Sequence, residues 1–298
     1  MRLDRRKFLT RGSAAASTLL LAGCDRIAYD PNVAKVLETA EVLTKSVQRL
    51  IIGDALAPEY PEADLSAKFK ANGTTNPQDA NYLAHVKSGF ADYRLAIGGL
   101  VERPAEFSLA DLRAMPARTQ ITRHDCVEGW SCIGKWSGVP LRELLDRAGV
   151  KSQARYVVLR CFDDMERGYQ AAAEKEDADD ADASDEDDDE GKEGAKAAES
   201  ESAKPVSTDA AAEIGTRYYE SIDLREARHP QTILAYEMNG KTLPVAYGAP
   251  LRLRVERQLG YKMAKYVRRI DLVESYADLG RGKGGYWEDR GYEWYAGI

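Results

Sequence analysis

Between residues 174 and 204 the chain carries fifteen acidic and four basic residues, with no aromatic residue and no Val, Leu or Ile. Such a stretch cannot bury enough apolar surface to offset the entropy of ordering. It is therefore predicted to be a disordered loop between two sheet strands, an insertion that costs little stability. An acidic docking or cation-binding role is the alternative. The opposite extreme lies at the start, where residues 1–23 hold five basic residues and one acidic. Removing the nine basic and sixteen acidic residues of these two segments from totals of 42 and 49 leaves 33 of each over the other 244 residues. A neutral body of that length can bury a core without a disulfide framework. It lacks the basic surplus of a nucleic-acid binder, and no apolar run approaches the roughly 18 residues of a membrane span.

The first 24 residues read MRLDRRKFLTRGSAAASTLLLAGC: a basic start, the pair Arg5-Arg6, then a small and apolar run too short to cross a bilayer. The segment resembles a bacterial twin-arginine export signal, and Leu21-Ala22-Gly23-Cys24 resembles a lipoprotein cleavage box. That resemblance implies cleavage before Cys24, a lipid on its sulfur and a periplasmic location at the inner membrane. Because this route usually carries folded proteins, it also implies a cofactor inserted before export. An uncleaved amphipathic N-terminus, or cleavage without lipid, is the alternative.

In the body, Asp30-Pro31 reads as a capped helix start. Val33, Val36, Leu37, Leu43, Val47, Leu50 and Ile51 recur at helical spacing up to Gly53. The stretch to about residue 90 is rich in Pro, Asn, Asp and Gly and reads as long irregular structure, so residues 24–92 form an N-terminal segment before a main domain over 93–298. Strands are predicted at Tyr93–Ile97, Thr119–Arg123, Arg155–Phe162, Leu251–Val255 and Val267–Val273, with a hairpin turning on Asn239-Gly240. Short helices are predicted at the capping box Ser108–Asp111 and from Pro140 to the stop Gly149. Strands outnumber helices without regular alternation, which gives an α+β class.

Four cysteines are present: Cys24, Cys126, Cys132 and Cys161. With Cys24 used for lipid, an odd number remains in an oxidising compartment. No Cys/His spacing suggests zinc, and His124 beside Cys126 is a weak sign of a Cys–His nucleophile pair. Nucleophile-elbow, Walker and dinucleotide motifs are absent. A thiolate suits a soft transition metal. The segment Arg123–Leu145 (RHDCVEGWSCIGKWSGVPLRELL), then RYVVLRCF, then Tyr218–Val273 with its Asn-Gly hairpin, Gly-Ala-Pro-Leu-Arg and Gly-Tyr-Lys, resembles the molybdopterin domain of the sulfite-oxidase family. Within that family the likeness is to the periplasmic methionine-sulfoxide reductase branch, which has Cys-Val-Glu-Ala-Trp where this chain has Cys126-Val127-Glu128-Gly129-Trp130.

The resemblance implies a sulfite-oxidase-type fold of mixed sheets and short helices; the chain stops soon after its aromatic C-terminal segment, so no C-terminal immunoglobulin-like dimerisation domain is expected and a monomer is predicted. The resemblance also implies a molybdenum-molybdopterin cofactor, with Cys126 as the metal ligand. A buried structural Cys, or a Cys126–Cys132 disulfide, is the alternative. Glu128 takes the place of a glutamate beside the metal, as a proton relay or orienting group, or is an ordinary surface carboxylate. Arg252 and Gly260-Tyr261-Lys262 match contacts to the phosphate end of the pterin, where glycine admits backbone N–H groups and the cations donate; a strand-end charge and a turn are the alternative. Cys161 and Tyr247 stand where the reductase has Thr and Asn, and Asn72 is the best upstream cofactor contact. The C-terminal Tyr286, Trp287, Tyr292, Trp294 and Tyr295 either cover an open sheet edge or rim the metal site. The implied activity is oxygen-atom transfer, reducing a sulfoxide or N-oxide, with electrons from a haem-bearing membrane subunit or a cytochrome. Sulfite oxidation and a non-catalytic lipoprotein on the same fold are the alternatives.

Overall fold

A computed structural model describes residues 31–165 and 215–298. The leader, Cys24, Asp30 and the acidic segment lie outside the described residues. The chain divides into an N-terminal unit ending at Ala55 and a main unit from Leu56 to Ala296. In the first, α1 (Pro31–Ile52) is the helix that the apolar spacing predicts. It stops at Gly53, whose φ of +59° suits glycine, and Leu43, Leu50 and Ile51 are exposed.

The main unit is built on two five-stranded sheets. The first runs β2 (Ala105–Ser108), β1 (Arg94–Gly99), β10 (Val267–Val273), β5 (Tyr156–Asp164), β6 (Arg217–Asp223). β1 and β10 are parallel and the other pairs antiparallel. The second runs β3 (Arg118–Asp125), β4 (Ser131–Pro140), β7 (Ile233–Met238), β8 (Lys241–Thr242), with β9 (Arg252–Arg254) also on β7. This is the mixed-sheet α+β class that the sequence implies. β5 is buried along nearly its whole length, which is why it reads as a continuous apolar run. Asp164 and Arg217 are register partners in adjacent strands, so the acidic segment interrupts the connection between two paired strands.

Local chemistry sets the helix ends. In α3 (Leu109–Ala114), Ser108 and Asp111 form the reciprocal capping box. In α4 (Leu141–Ala148), Leu141, Leu144, Leu145 and Ala148 are buried and Gly149 closes the helix at φ +70°. Asn239 and Gly240 both take positive φ, the hairpin geometry that Asn-Gly favours.

Several elements were not legible in the sequence. β4 contains two glycines, which weaken a strand pattern. A Cβ at Gly138 would lie 2.1 Å from the Leu234 carbonyl oxygen, where the β4–β7 register shifts, so the glycine is required by that close approach. β6 reads as polar because Glu220 points into a buried ion cluster. The stretch before Tyr93 is not wholly irregular: α2 (Ala80–Lys87) is capped by Asp79, which accepts from the Tyr82 N–H at 2.9 Å. Tyr82 is fully buried and Phe69 nearly so, which is why the main unit begins at Leu56 and not at residue 93. α5 (Leu224–Ala227) follows β6.

Candidate active site

A cavity of about 780 Å³, counted to its open mouth, is lined from residues 72–74, Cys126 to Glu128, the end of β5, and the chain from Arg252 to Lys265. β3 delivers the chain to Cys126, which opens a tight turn. Its N–H donates to the Trp130 carbonyl at 3.0 Å, and its carbonyl accepts from the Gly129 N–H at 3.0 Å. The Asn72 amide donates to Cys126 Sγ at 3.5 Å. Burial, with a smaller push from the Glu128 charge, raises the Cys126 thiol above its ordinary range.

The cavity's charges are unusually placed. Arg252 is buried, its guanidinium lies 5.2 Å from the Trp136 ring centre, and Nη1 donates to the Tyr247 carbonyl at 3.2 Å. Its Nε has no hydrogen-bond partner. Burial, and behind it the charge of Arg254, pulls Arg252 down to about 9, leaving it a cation at neutral pH. Half-buried Lys265 donates through Nζ to the carbonyls of Asn72, at 2.7 Å, and Thr74. Burial first, then Arg252, pulls it down to about 7. Asp163 is 3% exposed and its Oδ1 is without a partner. Burial lifts it to about 7 against the opposing pull of Lys265. Among the described residues no carboxylate lies within ion-pair distance of Arg252 or Lys265. By contrast Arg160 pairs with Asp271 at 2.7 Å, Arg254 with Glu256 at 2.6 Å and Arg257 with Glu226 at 2.7 Å.

At the mouth, Glu128 is more than half exposed. It accepts from Trp130 Nε1 at 2.8 Å and from Lys70 at 3.4 Å. The Trp130 hydrogen bond chiefly, then Lys70, holds its carboxyl below the usual range. The C-terminal aromatics divide between the two expected roles. Trp287 and Tyr292 stack 5.3 Å apart on the cavity wall. Tyr286 stacks on Tyr218, and Trp294 donates to Ser221 Oγ at 2.8 Å, both covering β6 at the sheet edge.

Of the residues singled out in the sequence, the structure brings Cys126, Glu128, Asn72, Arg252, Gly260 and Tyr261 to this one cavity. Lys262 is turned away from it: its ammonium is fully buried between Glu220 and Glu288 and is not available to an anion. Cys161 is fully buried in β5, and the backbone is its polar contact, its carbonyl accepting from Arg268 at 3.2 Å. Tyr247 packs on Phe69 and donates to its carbonyl at 2.7 Å, reaching the site only through its own carbonyl on Arg252. Gly260 has a second reason to be glycine, since a Cβ there would fall 2.5 Å from His124 Nε2. His124 does not pair with Cys126; its Nδ1 faces Met263 and Arg254, and burial keeps it neutral. Cys126, Cys132 and Cys161 are free thiols. Sequence reasoning missed Lys265, Asp163, Tyr218 and Met263 on the wall. For Asp163 a signal existed: it continues the apolar run of β5, and a carboxylate carried inward by such a strand calls for a function.

Comparison with known proteins agrees with this geometry. The family model described as oxidoreductase molybdopterin binding domain matches residues 83–184 and 192–279. A chain of Azospira oryzae, provisionally named protein-methionine-sulfoxide reductase subunit YedZ1, is 33% identical over 294 residues, covering 98% of this chain and 87% of that one. The protein-methionine-sulfoxide reductase catalytic subunit MsrP of Xanthomonas axonopodis pv. citri is 31% identical over 183 residues, 61% of this chain; the aligned part spans 45% of that relative. Among solved structures, the sulfane dehydrogenase SoxCD from Paracoccus pantotrophus aligns with 62% of this chain and 39% of its own, at 22% identity and a TM-score of 0.41, a likeness too partial to argue from.

Proposed function

The chain belongs to the family of oxidoreductase molybdopterin-binding domains, and from that premise we propose that it reduces sulfoxides, including protein methionine sulfoxide, with Cys126 holding the metal. Molybdenum-molybdopterin, when bound, supplies oxygen-atom transfer coupled to two electrons; the protein binds, orients and shields it. The residues fit such a group. The observation that carries the reading is a cavity with a soft sulfur on its wall and two cations that no carboxylate among the described residues pairs with, one of them with a buried unpartnered Nε. Unpaired cations beside a cavity suit the phosphate of an anionic cofactor, so Arg252 and Lys265 would hold that end. Cys126 would bind as thiolate, its proton being released to solvent as the metal is bound. Asn72 orients the sulfur. Glu128, fixed by Trp130 and Lys70, lies at the entrance. Tyr261, Trp287 and Tyr292 give substrate an apolar rim.

The leader supports export by the twin-arginine route, lipid attachment at Cys24 and periplasmic work at the inner membrane. Electrons then come from a haem-bearing membrane subunit or a cytochrome. Protein purified from a host that makes molybdopterin should hold about one molybdenum per chain and reduce methionine sulfoxide with a reduced dye. Cys126→Ala should lower turnover by more than about 10²-fold, beyond what groups that merely orient a ligand contribute. Sulfite with oxidised cytochrome should give background rates. Metal-free wild-type protein from that host would overturn the reading.

A further inference from the structure

The cavity has two carboxyl groups on its wall, Glu128 and Asp163, and their surroundings drive them apart. Glu128 is half in water, with an indole N–H and an ammonium on its carboxylate. Asp163 is shut away from bulk solvent, and one oxygen has no donor to meet it. An ionised carboxylate pays heavily for that environment, whereas a protonated one presents an O–H to the cavity. Two carboxyls in one site with opposed environments divide acid and base roles between them.

Resting on the reductase reading above, we propose that Asp163 is the catalytic acid that gives a proton to the oxygen leaving the substrate. In that reaction the S–O bond breaks, and a sulfoxide, two protons and two electrons become a sulfide and water. The electrons come from the external reductant. One proton comes from Asp163, which is refilled from solvent through the mouth, and the other from water. The groups facing Asp163 are on several elements. Lys265, from the segment before β10, Arg217 on β6 and a hydrogen bond from its own backbone favour its anion, while Asp164 beside it on β5 favours the acid; burial, with Asp164, outweighs the other three. The phenols of Tyr82 on α2, Tyr218 on β6 and Tyr266 also face it and stay protonated.

Two measurements on molybdenum-loaded protein, normalised to metal content, test this. Infrared difference spectra from roughly pH 5 to 9, bracketing the displaced group, should show the carbonyl band of a protonated carboxyl in wild type that fades as pH rises through about 7. The band should be missing in Asp163→Asn and intact in Glu128→Gln. Turnover should fall on the alkaline side in wild type. Asp163→Asn should lose about 10²-fold or more of kcat with little change in KM, and Asp163→Glu should restore an alkaline limb. Wild-type kcat per molybdenum in Asp163→Asn, a band that survives in it, or a limb lost only in Glu128→Gln would overturn the proposal. If Asp163→Asn fails to load, Asp163→Glu decides: a shifted limb supports the role and an unchanged profile sinks it. Molybdenum-loaded wild type inactive on every sulfoxide would remove the reductase reading as well, a result distinct from an active Asp163→Asn.

Discussion

Lys262 and Lys265 lie three residues apart and meet opposite treatment. Lys262 is fully buried between Glu220 and Glu288, near the Trp294 ring. That cluster has one cation for two carboxyls, so burial and then the Glu288 charge raise Glu220 far above its ordinary range. Lys265 donates only to backbone carbonyls. Arg252 and Arg254, two residues apart on β9, repeat the contrast: Arg254 is held by Glu256 while Arg252 keeps an unpartnered Nε. These two cations, which pair with no carboxylate among the described residues, both face one cavity. An uncompensated charge in a folded interior is costly, so its survival there marks the wall on which an anion belongs.

The sharpest way to break this contrast is to remove one member of each kind. Lys262→Met leaves two buried carboxyls facing each other and should destabilise the protein by about 3–5 kcal/mol, a Tm fall of roughly 6–20 °C in thermal melts. Arg252→Met removes a charge that no carboxylate among the described residues pairs with, so the cofactor-free protein should keep its Tm or gain, within about 1 kcal/mol. Its molybdenum content, measured by metal analysis, should instead drop. Equal destabilisation by both would mean that Arg252 is structural after all.

How far the sequence showed this depends on what each residue needed. Elements fixed by local chemistry were readable: the Ser108–Asp111 box, the Gly149 stop, the Asn239-Gly240 turn and the apolar run of β5. β4 and β6 were hidden because their glycines and carboxylates serve partners distant in sequence, Gly138 for Leu234 and Glu220 for Lys262. At the site, Cys126, Glu128, Arg252, Gly260 and Tyr261 followed from the family resemblance. The choice between Lys262 and Lys265 could not follow from it, since it turns on which side chain meets Glu220 and Glu288. Asp163 was passed over because an Asp-Asp pair at a strand end is usually solvated, and only the burial of its first member makes it unusual.

The same contrast predicts a pH signature in the cofactor-free protein. An unfolded Asp loses its proton near 3.9, but folded Asp163 keeps it to about 7. Between those values the folded state binds more protons, and stability falls as pH rises. An unfolded Lys stays charged to about 10.4, but folded Lys265 gives up its proton at about 7. There the unfolded state binds more, and stability rises with pH. Relative to wild type, Asp163→Asn should therefore remove a decline in Tm below neutrality, and Lys265→Met a recovery above it. Parallel melting profiles for all three proteins would show that neither group is displaced.

The smallest expected effect separates the C-terminal aromatics. Tyr292 stacks on Trp287 over the cavity and meets Tyr261 edge-on at 5.1 Å, whereas Trp294 spends its N–H on Ser221 along the edge of β6. Stacking of this kind is worth about 0.5–1.5 kcal/mol. Tyr292→Ala should therefore raise KM for a peptide sulfoxide by roughly two- to tenfold, with kcat unchanged, as expected for lost binding shared by ground and transition states. Trp294→Phe keeps the ring and loses one hydrogen bond, so it should cost about 1 kcal/mol of stability and leave KM alone. A KM change of equal size in both would mean that the segment acts as one cover, and the division between rim and sheet edge would fail.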